Sequence, residues 1–409
     1  MTKFIEPFET IADKKSDFNI KRFKIGKINS ERSIKSIDAR TTTREFFDKE
    51  VSNFKNKIFE TSKRIDYDTL RSVLKGRDSH VKSFFGYPEW LDCFENVISP
   101  TFTFNPNSME DRVNELSGFF SYYYNFSKTF LFVPNVKATE IIYGIGKTGR
   151  KKKIDEKPII TIEDYIDFVN ESYTILNERN TKPIFLPLSL KFPIEDMQKL
   201  IREYIFKDYL HVWIDFEGEK TTDRAKLGKL RLFYTMLRST ERFNDSIIYI
   251  TNMRREITSN PQRNENPSSD VLTSLCGGNF VGVNLELRRN PNPWFPPINP
   301  EAQQALWEYR ARVFNPDTYY YINRNLSGVD ETTSNLLLEK GYNVLFNSKQ
   351  LDFELENQAN QFLIEFDFEE YISNKKMLSN DPNGSLKKRI FYKKYESRQA
   401  SLDDDYKMP

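Results

Sequence analysis

The sequence predicts an α/β protein whose main part is a (β/α)8 barrel of the TIM type, with an N-terminal α+β extension. Short apolar runs end in polar or charged residues, and an amphipathic stretch usually follows each run, over roughly 250 residues, the usual size of such a barrel. Strands that alternate with helical patterns indicate βαβ units and a parallel sheet. The eight runs lie at residues 98–104, 129–136, 183–190, 210–216, 246–253, 280–287, 317–324 and 342–347.

The pattern divides the chain into three parts. Residues 1–97 are expected to form a cap of strands and helices, and residues 98–370 the barrel. Residues 371–409 are polar and rich in Lys and Asp, so we expect a partly disordered C-terminal tail.

Within the cap, a strand pair and two helices are expected. Residues 18–28 alternate apolar and polar side chains, as a half-buried strand does. Residues 29–32 are polar and are expected to turn the chain into a second strand at 33–40. Helical patterns follow at residues 44–62 and 66–76.

Start signals support the helices of the barrel. Thr161 precedes Glu163 and Asp164, whose negative charges suit the first turn of a helix, and Pro193 stands near the first turn of the next one. Apolar residues then recur at helical spacing. The helices are expected at about residues 108–126, 161–176, 193–204, 222–242, 268–276, 300–313, 331–340 and 351–364.

The composition excludes several classes of protein. The 409 residues include 61 basic and 59 acidic ones, so the net charge of +2 gives no general reason to expect a polyanionic partner. Because no run of about 18 apolar residues occurs and the chain starts without an apolar signal core, we expect no membrane association. The only cysteines, Cys93 and Cys276, lie far apart, which argues against a disulfide framework and fits a reducing cytoplasm. No spacing of Cys or His suits a metal, so no metal and no cofactor is expected, while the oligomeric state stays open.

Acidic residues that end the fourth and sixth runs are the candidates for catalysis. These are Asp215 near the end of the fourth run, Glu217 directly after that run, and Glu286 in the sixth. Alternate residues of a strand share a face, so if Ile214 and Phe216 face the helices, Asp215 and Glu217 point into the barrel mouth. A buried mouth raises the pKa of one carboxyl while its neighbour stays ionised, which is how acid–base pairs arise. The alternative is a structural network with neighbouring arginines.

Amide and guanidinium side chains near the other run ends are the candidates for ligand binding. A guanidinium binds phosphate or carboxylate and an amide reads the edge of a base or sugar, so together they suit a planar, polar, anionic ligand. Asparagine also tolerates the turn that follows a strand, which is the alternative for each amide. The candidates are Asn135, Asn252, Arg254, Arg288 and Asn323.

A basic cluster follows the second run and is the candidate for nucleic-acid binding. Adjacent lysines and arginines neutralise phosphates and release counterions. A charge run of this kind is also common in solvated loops. The preceding GIGKT is no phosphate-binding loop, because Ile141 stands where that motif requires glycine. The cluster consists of Lys147, Arg150, Lys151, Lys152 and Lys153.

The layout resembles that of the tRNA-guanine transglycosylase family, including its relatives that insert a 7-deazaguanine into DNA. The resemblance rests on KRFKIGKI and SIKSIDART, on FLFVPNVKA with a long basic excursion up to ITIEDYI, and on LTSLCGGNFVGVNLEL with DTYYYINRNLSGVDETTSNLLLEKGYNVLFNS. It covers about residues 15–350. It implies a barrel that exchanges a base, with tRNA or DNA as partner and a small base as second substrate. The family's zinc ligands have no counterpart, and Asn347 falls near the position of its nucleophilic aspartate.

Three functions are compatible with these features. The first is a barrel enzyme that acts on nucleic acid as a base-exchange glycosyltransferase, with an acid of the fourth or sixth strand as nucleophile or as stabiliser of an oxocarbenium-like centre. The second is a small-molecule hydrolase, such as a glycosidase with paired carboxylates. The third is a non-catalytic barrel that serves as a binding or structural subunit. The sequence does not show whether the nucleic acid would be RNA or DNA, or which base would be exchanged.

Overall fold

The computed structural model has a mixed α/β fold in which parallel strands alternate with helices. In the part of the chain that it describes, no helix is both long and apolar enough to cross a membrane. The described residues are 5–50, 54–76, 81, 84–85, 88–145, 151–179, 181–254, 264–285, 311–364, 368–381 and 383–393.

Eight parallel strand segments form the centre of the described structure, and each pairs with the next. Two of the segments consist of two short strands separated by a break, but each of them still forms hydrogen bonds with the segment on either side. Ser36 N–H donates to Val281 while Ala39 N–H donates to Glu60, so the first segment pairs with the last as well as with the second. In order of pairing, the segments are Ile34–Lys35 with Ile37–Asp38, Ile58–Ile65, Glu95–Phe102, Leu131–Phe132 with Asn135–Val136, Ile184–Pro187, Val212–Asp215, Ile248–Thr251 and Phe280–Val281.

A buried apolar cluster lies inside this arrangement. Every one of the eight segments, or the residue directly before it, supplies at least one side chain. Three further residues come from the N-terminal antiparallel hairpin, which therefore packs against the same interior. Inward-facing side chains of parallel strands fill such a space in layers. The members are Phe23, Ile25, Ile28, Ile34, Ile58, Val97, Phe130, Phe132, Phe185, Trp213, Ile247, Tyr249 and Phe280.

Helices pack on the outer face of the parallel strands, as the apolar spacing predicts. Asp66, Asp111, Thr161 and Asp223 each accept a hydrogen bond from the backbone N–H three residues on, which satisfies a free donor at the helix start. The α-helices that alternate with the parallel strands are Arg44–Glu50, Tyr67–Lys75, Arg112–Phe126, Ile162–Asn177, Ile194–Phe206 and Arg224–Ser239, followed by the 3-10 helix Ser269–Cys276.

The prediction of the last two barrel strands, at residues 317–324 and 342–347, is wrong. Tyr320–Asn323 is antiparallel and pairs with Arg312–Asn315 and Glu265–Pro267 in a separate sheet. Residues 342–347 lie within the helix Lys340–Ile364. A short apolar run cannot be assigned to a strand or a buried helix from periodicity alone, which explains the second error.

Two segments that we predicted in the cap supply the missing strands. Residues 34–38 form the first parallel strand, and Ile58–Ile65 forms the second although its first half was predicted as helix. The hairpin ahead of them turns at Gly26, which has φ +55°, and not at residues 29–32. The strand Ile5–Ala12 adds to this hairpin. The three-part division of the chain itself stays a prediction.

The described residues of the C-terminal part form several helices up to residue 393. Phe391, within the predicted tail, is fully buried, so this portion packs on the rest of the protein. The expected helix at 300–313 falls almost entirely outside the described residues. The helices of this part are Glu331–Leu336, Lys340–Ile364, Phe368–Ser373, Lys376–Ser379 and Ser385–Ile390.

A fully buried carboxylate, Glu60, connects four of the parallel strands. Its Oε1 accepts hydrogen bonds from the Ser99 hydroxyl at 2.7 Å and the Thr251 hydroxyl at 2.6 Å. Its Oε2 accepts from the Tyr249 hydroxyl at 2.7 Å and the Val283 N–H at 2.8 Å. Four donors therefore satisfy a charge that would be costly to bury alone.

The packing beside this carboxylate leaves no room for a side chain at position 282, which is a glycine. A Cβ there would lie 2.5 Å from Thr251 Cβ and 2.6 Å from Glu60 Oε2. We expect Gly282→Ala to lower the free energy of unfolding by about 1–3 kcal/mol, as overpacking does. Urea denaturation measures this change.

Gly228→Ala is the matched control. Gly228 is exposed in the helix Arg224–Ser239, and no atom lies within 4 Å of its added Cβ. This substitution is expected to raise the free energy of unfolding by about 0.5–1 kcal/mol. A Gly282→Ala protein as stable as Gly228→Ala would contradict the packing described around Glu60.

Candidate functional site

Of the acidic pair at the end of strand Val212–Asp215, Asp215 lies on the face that the alternation predicts. Ile214 and Phe216 pack in the apolar cluster on the helix side, while Trp213 belongs to the interior cluster. Asp215 therefore points inward, at the carboxyl-terminal edge of the parallel strands. Glu217 follows two residues later.

Asp215 is buried, with 4% of its surface exposed, and accepts three hydrogen bonds. The Thr101 hydroxyl donates to Oδ2 at 2.7 Å. The Asn252 amide donates to Oδ1 at 3.0 Å, and the Glu217 backbone N–H donates to the same oxygen at 2.7 Å. Donors from three chain segments thus fix this carboxyl group in place.

Glu217 is the carboxyl group of this site whose pKa is raised towards neutral pH. It is half-buried, and its backbone has φ +54°, which is unusual for a residue with a side chain. Burial, followed by the negative charge of Asp215, raises its pKa to about 7. The positive charges of Lys191, Lys226 and Lys137 oppose that rise without cancelling it.

The neighbouring Glu219 behaves in the opposite way. Burial alone would raise its pKa, but the hydrogen bond from Lys191 and the charge of Lys226, whose Nζ lies 3.6 Å from Glu219 Oε2, lower it. Two carboxyls two positions apart therefore have pKa values moved in opposite directions, which is the pattern of an acid and a permanent anion.

Two predicted ligand-binding amides, Asn135 and Asn252, lie in the same region. Asn252 has φ +56°, and its buried Oδ1 has no hydrogen-bond partner among the described residues. Asn135 accepts a hydrogen bond from the Tyr165 hydroxyl at 2.9 Å, while its buried Nδ2 likewise has no partner in that part of the chain. Such atoms normally bind a ligand or a water molecule.

Of the other predicted site residues, the structure places Arg254 beside Glu219 and Asn323 in the separate antiparallel sheet. Arg254 follows Asn252, and its backbone N–H donates to Glu219 O at 2.9 Å. Asn323 ends a strand of the separate antiparallel sheet, where its side chain accepts from the Asn325 N–H. Glu286 and Arg288 lie outside the described residues.

The predicted basic cluster falls on a two-stranded ribbon. Lys151, Lys152 and Lys153 start the strand Lys151–Pro158, which pairs antiparallel with Thr139–Ile145. Lys147 and Arg150 lie outside the described residues.

Asn347, which the family resemblance places near a nucleophile, has a structural role. It is buried in the helix Lys340–Ile364, where its Oδ1 accepts from the Phe314 N–H at 2.7 Å. Its Nδ2 donates to Arg312 O and Asn343 O, each at 2.9 Å.

Sequence reasoning missed several residues of the site. Thr101 lies within the first predicted run, and its position on the inward face could have been found from the alternation with Ser99. Tyr165, Lys191 and Lys226 gave no signal, because they come from helices or loops that only the fold brings near Glu217.

No family model and no curated protein matches the chain. Among solved structures it is similar to a GH26 β-mannanase from Bacteroides ovatus, at 11% identity over 60% of this chain and 76% of that one, with a TM-score of 0.33. It is also similar to GH26C from Muricauda sp. (10% identity, 62% and 79% covered, TM-score 0.37). A probable tagatose 6 phosphate kinase from Sinorhizobium meliloti gives 11% identity, 90% and 98% covered, and a TM-score of 0.34. Similarities this low carry no argument about function.

The raised pKa of Glu217 makes stability depend on pH. Its folded pKa of about 7 exceeds the ordinary value of 4.5, so the ionised form costs stability, increasingly as pH rises from about 4.5 through 7. Glu217→Gln removes that cost. We therefore expect the change in the free energy of unfolding that Glu217→Gln causes to be more favourable at about pH 8 than at about pH 4. The difference should be on the order of 2 kcal/mol.

Denaturant unfolding of both proteins at the two pH values measures this difference. Glu195→Gln, on an exposed part of the helix Ile194–Phe206, is the control for the loss of one carboxyl group, and the effect of Glu217→Gln is compared with it. An effect of Glu217→Gln that is the same at both pH values would show that the carboxyl titrates normally.

Proposed function

We propose that this protein is an enzyme of the (β/α)8-barrel type that breaks a glycosidic bond by acid catalysis, with Glu217 as the proton donor. The observation that carries the proposal is the half-buried Glu217 carboxyl, whose pKa is raised to about 7 beside the buried Asp215. A general acid works best when its pKa lies near the operating pH. Catalytic residues of such barrels stand at the carboxyl-terminal strand ends, which is where this pair lies.

The barrel assignment draws support from the strand pairing. The pairings pass through eight parallel segments and return to the first, and one interior cluster takes side chains from all of them. Helices follow most of these strands along the chain. This is the organisation expected of eight βα units.

In the proposed reaction, Glu217 gives its proton to the oxygen or nitrogen that leaves the sugar. The bond between that atom and the anomeric carbon breaks, and both electrons remain with the leaving atom. Water, or an incoming base, then adds to the positively charged carbon, and its proton returns to Glu217.

Asp215 has the role of a fixed negative charge. Its three hydrogen bonds hold it without room to rotate, so it stabilises positive charge that develops nearby without first reorganising. The same charge contributes to keeping Glu217 protonated. Glu286 remains the candidate for a second reacting carboxylate.

A second candidate is the base exchange in tRNA or DNA that the family resemblance implies. The basic β-ribbon, Thr139–Ile145 with Lys151–Pro158, favours it. A two-stranded ribbon fits the major groove of a duplex, and Lys151, Lys152 and Lys153 would neutralise phosphates. The acid chemistry at Glu217 is the same in both candidates, and only the leaving group differs.

The catalytic role of Glu217 predicts a loss of activity on substitution. A panel of aryl glycosides, and base release from tRNA and duplex DNA, provides the substrates. Glu217→Gln is expected to lower kcat by about 100- to 10,000-fold, while Glu195→Gln leaves it unchanged.

The pH profile should separate catalysis from folding. Because the acid must be protonated, kcat should fall as pH rises through about 7. Asp215→Asn removes one cause of the raised pKa and should move that fall to lower pH. Full activity of folded Glu217→Gln would remove the proposal.

Salt-dependent binding distinguishes the two candidates. If the ribbon binds nucleic acid, replacing Lys151, Lys152 and Lys153 by Gln should weaken binding of tRNA or duplex DNA. The slope of log affinity against log salt should fall by up to about 2.7 for three contacts. Lys199→Gln, on an exposed helix face, should leave both quantities unchanged. Absence of binding to either polymer would eliminate base exchange and leave a small glycoside as substrate.

A further inference from the structure

A cavity opens at the carboxyl-terminal edge of the first two parallel strands. Its volume is about 510 Å³, and it shares no lining residue with the Asp215–Glu217 cluster. One wall is formed by Lys35, Asp38 and Arg40 with Arg64, another by residues 283–285, and a third by one face of the helix Lys340–Ile364. We call it the basic cavity.

Positive charge is in excess around the basic cavity. Four basic side chains, those of Lys35, Arg40, Arg64 and Lys340, face one lining carboxylate, Asp38. Arg40 already pairs with Asp38, to which its Nε and Nη2 donate at 3.1 and 3.0 Å. Arg64 and Lys340 are exposed and have no hydrogen-bond or ion-pair partner among the residues that the structure describes.

Lys35 supplies a third cation from the floor of the cavity. It is buried, and its ammonium group donates to Gly282 O. Burial lowers its pKa to about 8, although the carboxylates of Asp270, Glu60, Asp38 and Asp352 act against that change.

Those four carboxylates are occupied by other partners. Asp352 pairs with both terminal nitrogens of Arg32 at 2.9 Å, and Asp270 accepts from Asn284 and Tyr321. Glu60 has four donors of its own, and Asp38 pairs with Arg40. An anion that entered the cavity would therefore meet Lys35, Arg64 and Lys340 without displacing an existing ion pair.

Among the neutral polar residues of the lining, Thr41 Oγ1 and Asn284 Oδ1 are buried and have no hydrogen-bond partner among the described residues, while the others are engaged. The Tyr321 hydroxyl donates to Asp270 at 2.7 Å, and the Ser348 hydroxyl donates to Val344 O at 2.9 Å. The amide of Asn347 is fully used within its own surroundings. The groups left to recognise a ligand are therefore mainly the cations, with the Thr41 hydroxyl beside them.

We propose that the basic cavity binds the phosphate group of a small phosphorylated molecule, held by Arg64, Lys340 and Lys35. A phosphate dianion carries enough oxygens to accept from all three cations, and a guanidinium matches phosphate geometry with paired N–H donors. A single carboxylate would leave part of the positive charge uncompensated. The volume lies within the range of small-ligand pockets, about 300–1,000 Å³.

Close backbone packing keeps the wall that carries Lys340 in place. A Cβ at Gly341, the next residue, would lie 2.2 Å from Thr41 O, so the helix start touches the chain directly after the first strand. Thr41 also lines the cavity. The distance between the helix and strand walls is thereby fixed before a ligand arrives, which reduces the entropic cost of binding.

Calorimetric titration of the whole protein with inorganic phosphate tests the proposal. We expect saturable binding, weakened about tenfold or more by Arg64→Gln and by Lys340→Gln, since each removes a charge-assisted contact. Both side chains are exposed, so the variants should fold. Lys199→Gln is the control for general charge, and Glu217→Gln is the control for the acid site; both should bind phosphate as the unaltered protein does.

Several results would overturn the assignment. Absence of saturable phosphate binding would do so, as would equal weakening by Lys199→Gln. Acetate that binds as tightly as phosphate would show a carboxylate site instead. Because no glycosidic substrate is used, failure here leaves the role of Glu217 intact, and loss of the Glu217 proposal leaves phosphate binding intact.

Discussion

The buried Glu60 carboxylate is the interaction on which the rest of the structure depends. It joins strands that are distant in sequence through Ser99, Tyr249, Thr251 and Val283. Side chains on a strand alternate between faces, so a slip of one residue in any partner strand would remove its donor from the interior. The carboxylate would then be left buried and under-satisfied, which is far costlier than an ordinary lost hydrogen bond.

This register also positions the acid site. Ser99 donates to Glu60, and Thr101, two residues further along the same face, donates to Asp215. On the strand Ile248–Thr251, which pairs with that of Asp215, Thr251 donates to Glu60, and Asn252, the next residue, donates to Asp215. The strand register that holds the donors around Glu60 therefore also holds the donors around Asp215. The aromatic rings of the interior cluster lie below both layers and exclude water from the centre.

Glu217 and Asn252 have left-handed backbone at the ends of adjacent strands. Such a conformation costs each residue on the order of 1–2 kcal/mol, and it persists where surrounding contacts determine the chain path. Here the Gly218 N–H donates to Asn252 O at 2.8 Å, and the Glu217 N–H donates to Asp215. The turn brings the Glu217 carboxyl within the influence of three lysines while leaving it partly exposed.

The sequence predicted those parts of the fold whose strands are apolar on both faces. Runs such as IIYIT and VWID are buried between the interior and the helices, so they appear as continuous apolar segments. The inward orientation of Asp215 followed from simple alternation. Strand Ile58–Ile65 was missed because Glu60, Thr61 and Ser62 are polar, although all three are buried. Polar residues that satisfy one another inside a protein cannot be distinguished from solvent-exposed ones without knowledge of their partners.

The most direct test of the account is the titration of the Glu217 carboxyl itself. Carbon-13 NMR of glutamate-labelled protein, with Glu217→Gln to assign the resonance, reports its protonation in the absence of any substrate. Burial and the charge of Asp215 predict a midpoint of about 7, and we expect that midpoint to fall in Asp215→Asn. A midpoint near the ordinary 4.5, unaffected by Asp215→Asn, would contradict the assignment of Glu217 as the proton donor.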